Sequence, residues 1–261
     1  MNGTQTPDYS GLIRKIKIKR LFTFIAYIAA ILCVIIFTDT YDSIIIPLIF
    51  IALAFFAFAF LFSLASLPVF NSMEAECEPY KHLVLNQTFN KKNKVILYSA
   101  YALDLFYLGR YAEAIGYANS LMTFQKPSAV TVGLFDRAKC EYMLGYYDAL
   151  KMTAEQFDRS LAALTKSKDR DMAVKMRTVI ALMCALTGND VKVIEKYNLE
   201  LTEYNRAKHT EGFNHYLHGV AAQRLDRETE CAYHLISAKE ICKSTVIPQY
   251  CDEILNNLSK A

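Results

Sequence analysis

Two apolar runs near the N-terminus constrain this chain more than any other feature. Between Leu21 and Phe70 there is no Lys, Arg, Glu or His. Residues 21–37 are apolar or weakly polar throughout, with Thr23 and Tyr27 the most polar. As a helix they would span roughly 25 Å, enough to cross a hydrocarbon core. Residues 44–67 would span roughly 36 Å and could cross with some tilt. Pro47 falls in the first turn of that run, where a missing N–H is harmless. Pro68 stands where the second helix is expected to stop. No small-x-small cleavage site follows the first run, so a cleaved leader is not expected.

Only residues 38–43 separate the two runs, too few to cross a bilayer, so both flanks lie on one side. Arg14, Lys15, Lys17, Lys19 and Arg20 precede the first run, and Lys81, Lys91, Lys92 and Lys94 follow the second. The loop holds Asp39 and Asp42 and no cation. Positive charge concentrates on the cytoplasmic side, so both termini are expected in the cytoplasm, with a bacterial inner membrane as the default setting. No charge lies inside the runs, which argues against a proton or ion path. Ala26, Ala29 and Ala30, set against some of Ala52, Ala54, Ala57 and Ala59, would let the two helices approach closely.

The organisation expected is a basic segment 1–20, a transmembrane hairpin 21–70, a connector 71–94 and a helical domain 95–261. The apolar share of 53% is explained by the hairpin. Of 29 Lys and Arg, five lie before residue 71; of 26 Asp and Glu, three do. That leaves 24 against 23 in the rest, no basic excess of the kind phosphate neutralisation needs, so nucleic acid is not an expected partner. The seven cysteines are odd in number and contain no Cys-x-x-Cys pair. Several fall on apolar helix faces, and a reducing compartment fits them better than a disulfide framework.

From residue 95 onward helical periodicity is strong and strand signals are weak, so the fold class expected is all-α. Gly109, Gly145 and Gly188, with Asp226 in the same place after them, recur at 36, 43 and 38 residues. Each follows one apolar helical run and precedes another, the signature of a helix–turn–helix repeat. In the first unit Tyr98, Tyr101, Ala102 and Leu105 share a face, and Leu-Gly-Arg-Tyr-Ala-Glu-Ala-Ile follows at 108–115. This Gly-x-Tyr-x-x-Ala-Ile pattern resembles the turn and second-helix start of a tetratricopeptide repeat, with Pro127 near that family's terminal proline. Leu-Gly-Tyr-Tyr-Asp-Ala-Leu around Gly145 is similar but one residue short. The units around Gly188 and Asp226 depart further, with Val193 and Cys231 after their turns. The resemblance covers about 95–243, leaves 246–259 as a closing helix, and implies a solenoid of paired antiparallel helices.

It also implies a concave face formed by the first helix of each pair. By spacing, that face would carry Ser99, Leu103, Tyr107, Asp136, Lys175, Thr178, Leu182, Tyr216, Gln223 and Arg224, with Cys140 and Val220 beside them. The set is mostly apolar and lacks paired Lys and Asn for clamping a C-terminal carboxylate. Such a groove would take an apolar or aromatic segment, unless the chain's own residues 72–90 fill it.

No phosphate loop, nucleophile elbow or His-Glu-x-x-His motif occurs, and no catalytic residue, metal or cofactor is expected. The nearest approach to a metal pattern is His215-x-x-His218 with Glu211 a turn earlier, and Cys231-x-x-His234 is similarly spaced. Both read better as packed side chains between paired helices. The function expected is a membrane-tethered scaffold that binds a protein through its helical domain. An accessory subunit of a transport or secretion complex, or a small membrane enzyme, are the alternatives.

Overall fold

The computed structural model of the chain describes residues 7–36, 45–201 and 207–259. Twelve α-helices and no strand occur among them. The chain divides into two compact units, Met1–Asn71 and Ser72–Ala261.

The first unit is built on α1 (Ser10–Ile36) and α2 (Ile45–Glu74). Both are long and apolar enough to cross a membrane, with mean hydropathies of 2.1 and 2.9. The basic stretch is part of α1, whose N-terminal Ser10 N–H donates to Asp8 Oδ1 at 2.8 Å. The short loop at 38–43 lies outside the described residues. The two helices run antiparallel: Tyr27 meets Phe58 with ring centroids 4.6 Å apart, and Arg20 Nη2 donates to Ser66 Oγ at 2.8 Å. Half-buried Thr23, Tyr27, Ala30, Ile31 and Val34 form one stripe on α1, answered on α2 by Pro47, Ile51, Ala54 and Phe58. Large apolar side chains on the other faces, Phe22 and Phe56 among them, are about 70% exposed. Of the alanines expected at the contact, Ala30 and Ala54 lie on the stripes, while Ala26, Ala29, Ala52, Ala57 and Ala59 are exposed. The rotation of one helix against the other selects the stripe, and aromatic side chains hold it.

Pro68 does not stop α2, which continues to Glu74. A proline removes one helical hydrogen bond and leaves the turns beyond it free to form. Those turns carry Ser72 and Met73, both essentially buried within the second unit.

The second unit continues with α3 (Pro79–Phe89), α4 (Lys94–Tyr107), α5 (Tyr111–Met122), α6 (Pro127–Met143), α7 (Tyr147–Ala162) and α8 (Ser167–Leu186). After these come α9 (Val191–Glu200), α10 (Lys208–Arg224), α11 (Glu228–Ile241) and α12 (Ile247–Leu258). Each helix packs on the next along the chain, apart from α9 on α10, where the contact is slighter, and α4, α6, α8, α10 and α12 also pack on one another in that order. The expected connector is therefore mostly helical: α3 lies on α4 and buries Leu85 completely.

Three of the turns are the same object. Gly109, Gly145 and Asp226 have φ of 75°, 73° and 55°. At each, the next residue's N–H reaches back five positions: Arg110 to Leu105 O, Tyr146 to Glu141 O, Arg227 to Ala222 O. This is the left-handed helix ending that glycine adopts without a Cβ penalty and that Asp tolerates. Gly188 differs. Its φ is not left-handed, and α9 is started instead by Asp190, whose carboxylate accepts from Lys192 N and Val193 N. Small residues let neighbouring helices close up. A methyl group on Gly219 would stand 2.5 Å from the Leu235 side chain.

Candidate functional site

The helices α4, α6, α8 and α10 line a half-open cavity of about 800 Å³, within the size range of small-molecule and side-chain pockets. Its wall is written in helical spacing. Ser99, Leu103 and Tyr107 stand four residues apart on α4; Val132, Phe135, Asp136 and Lys139 make a stripe on α6. The start of α8 adds Met172, Lys175 and Met176, and the start of α10 adds His209, Phe213 and Asn214. Glu74, at the end of α2, completes it.

Charge sits deep in this wall. Lys139 and Asp136 are each 3% exposed and form an ion pair at 2.8 Å. The Lys139 ammonium also lies 4.7 Å from the Phe106 ring and 4.8 Å from Phe135, where the ring faces attract a cation. Tyr107 donates its O–H to the backbone carbonyl of His209 at 2.6 Å. Burial, helped by the nearby Lys139 charge, pushes the His209 imidazole down to about 3, so it stays neutral. Burial raises the Glu74 carboxyl, with His82 opposing.

Asp104, fully buried on α4, accepts from His82 Nδ1 on α3 at 2.8 and 3.0 Å. Burial pushes its carboxyl up to about 6; the His82 bond pulls the other way and Asp136 adds a smaller push. A carboxyl raised in the folded state supplies stability that is complete below its ordinary value and lost as pH climbs through 6. Asp104→Asn is therefore expected to gain on the wild type by about 2 kcal/mol between pH 4 and pH 8. Melting both proteins across that range tests it; a gap that does not widen with pH rules it out.

The wall contains five of the ten residues expected at a concave face: Ser99, Leu103, Tyr107, Asp136 and Lys175. Thr178, Leu182, Tyr216, Gln223 and Arg224 lie outside it. Leu182 is fully buried in the core, Thr178 and Gln223 are half-buried, and Arg224 is exposed. Tyr216 is covered: its ring stacks on Phe213 at 6.0 Å and meets Tyr250 of α12 at 6.3 Å. Cys140 is fully buried, with its thiol pushed up to about 12. Of residues 72–90, suspected of filling it, Glu74 stands in the wall, while α3 lines none of the cavity and packs on α4.

The row of helices also closes on itself. Val246 N donates to Tyr107 O at 2.9 Å, Phe106 meets Phe213 edge-to-face at 5.2 Å, and the Tyr111 and Tyr250 hydroxyls bond at 3.2 Å. This turns an open concave face into a pocket. Phe135, Lys139, Met172, Phe213 and His209 were not singled out from the sequence. Lys139, three residues after Asp136 on a largely apolar face, was the available signal.

The second cluster of interest joins His215 and His218 of α10 to His234 of α11. His215 Nδ1 and His234 Nδ1 are 2.9 Å apart, and the His218 and His234 rings stack at 4.9 Å. Cys231 is fully buried beside them in sequence. Among the described residues, no group of three His, Cys, Asp or Glu is placed to hold a metal ion.

No family model, curated protein or solved structure matches this chain.

Proposed function

We propose that the chain is a membrane-tethered protein–protein interaction module. In this reading α1 and α2 form a transmembrane hairpin with both termini cytoplasmic, and Ser72–Ala261 is a tetratricopeptide-like array of paired helices. The repeated left-handed turns at Gly109, Gly145 and Asp226 support the array. The observation that carries the function is the cavity walled by α4, α6, α8 and α10. Its apolar lining suits an apolar or aromatic partner segment. Its charges, Lys139 with Asp136 and Lys175 with Asp171 nearby, nearly cancel, so it has no preference for a strongly charged one. Tethering raises the effective concentration toward membrane partners, so a modest pocket suffices.

The test is capture from mild detergent by the full chain, followed by mass spectrometry, with two variants alongside. Met172→Glu puts a charge on the cavity rim at a side chain already 41% exposed, so folding is spared. It is expected to lose the captured protein by tenfold or more. Exchange of residues 21–70 for an unrelated hairpin is expected to retain it. The opposite pattern would make the hairpin the contact and the chain an accessory subunit.

A further inference from the structure

α10 and α11 approach so closely at Gly219 that their side chains interlock, and the three histidines lie on this seam. His218 is 8% exposed, and its Nδ1 lies 2.7 Å from Asn198 Oδ1 on α9. His234 stacks on His218, and the edge of Tyr233 packs on both His215 and His234. Three helices are thus joined through three imidazoles and one amide.

The joint depends on which atoms hold protons. In the His215–His234 contact one Nδ1 must donate and the other must accept, so at least one ring has to be neutral at that nitrogen. Two imidazolium rings 2.9 Å apart have no acceptor between them and repel, and the stacked His218 adds a third charge that the seam cannot solvate. We propose that His215, His218 and His234 form a proton-sensitive clasp that holds α10 against α11 at neutral pH and loosens on mild acidification.

The surrounding charges fit this assignment. Burial lowers all three imidazoles, His218 to about 4, where His234 and His215 lower it further. Glu211 on α10 opposes the shift at His215, and Glu230 on α11 opposes it at His234. α9 faces the cluster with the uncharged Asn198. Among the described residues, α8 and α12 bring no charged group that acts on the three rings. His209, at the start of α10, titrates near 3 and stays silent in the window.

Imidazoles lowered in the folded state bind fewer protons than in the opened chain. Their contribution is present above the ordinary value of 6.5 and is lost as pH falls toward 4. With His218 alone, the opening equilibrium shifts on the order of tenfold between pH 7.5 and 5.5. Because α10 also supplies Phe213 and Asn214 to the cavity, release would loosen that wall.

Hydrogen exchange on the full chain in lipid nanodiscs at pH 7.5 and 5.5, corrected for intrinsic rates, tests the clasp. Peptides from α10 and α11 are expected to lose about tenfold in protection relative to α5 and α7, which contain no histidine. The His215→Gln, His234→Gln double variant should show a smaller pH response. Asn198→Asp, which sets a carboxylate beside His218, should keep the joint closed at pH 5.5. An equal response in α5, α7, α10 and α11 of the wild type overturns the proposal whether or not the variants fold. So does an undiminished response in a folded double variant.

Discussion

Asp136→Ala is expected to lower the stability of the helical unit by about 3–5 kcal/mol. The loss comes less from the attraction removed than from what remains. Lys139 is 3% exposed, and without Asp136 its ammonium would be buried among the Phe106 and Phe135 rings with no counter-charge. Ring faces attract a cation by about 1–2 kcal/mol, too little to offset burying it alone. The control is decisive. Removing both charges, with Lys139→Met and Asp136→Leu together, should recover most of the loss, because a buried ion pair replaced by apolar groups of similar size is often neutral. Melting followed with a thiol-reactive dye suits this protein, since Cys77, Cys140, Cys231, Cys242 and Cys251 are all fully buried and free. Asp136→Ala should melt roughly 6–20 °C lower. A double variant as unstable as Asp136→Ala would mean that the pair, and not the stranded charge, sets the effect.

Phe106→Ala is expected to cost a similar amount, about 3–5 kcal/mol, by a different route. Phe106 is fully buried, and its ring meets Tyr107 at 4.9 Å, Phe213 at 5.2 Å and Tyr111 at 5.6 Å. It packs the first helix pair against α10 where the row of helices closes. Truncation leaves a void bounded by rigid rings that cannot collapse into it. Phe213→Ala empties the same contact from the other side, so the two losses should combine to less than their sum. Full additivity in the melting experiment would show that the two rings do not share one packing unit.

The physics of single elements explains what could be read without coordinates. The apolar runs had to be helices because they are long, uncharged and separated by a short polar loop. The turns at Gly109, Gly145 and Asp226 were legible because Gly, and Asp more than most residues, take the left-handed conformation readily; Cys77 and Gln125 take it too and carried no such signal. Gly188 looked the same and was not, since a glycine permits that conformation without requiring it. Pro68 looked like a stop and was not, because burial of Ser72 and Met73 outweighs one missing hydrogen bond.

The candidate site shows the boundary. The tetratricopeptide resemblance implied a concave face carrying Ser99, Leu103 and Tyr107 of α4, and these three stand in the cavity wall. It put Thr178, Leu182, Tyr216, Gln223 and Arg224 on the same face, and none of these five lines the cavity. Closure depends on contacts between residues more than a hundred positions apart, such as Tyr107 with His209 and with Val246. The histidine seam is similar: His215 and His218 share a helix face by spacing, but nothing local brings them to His234 and Asn198. The sequence by itself determined the all-α class, the two apolar helices and the left-handed turns, because each follows from a local period or a single residue's backbone. Only the tertiary structure decided which faces meet, where the cavity closes and which polar side chains are buried together, because those depend on packing summed over the whole unit.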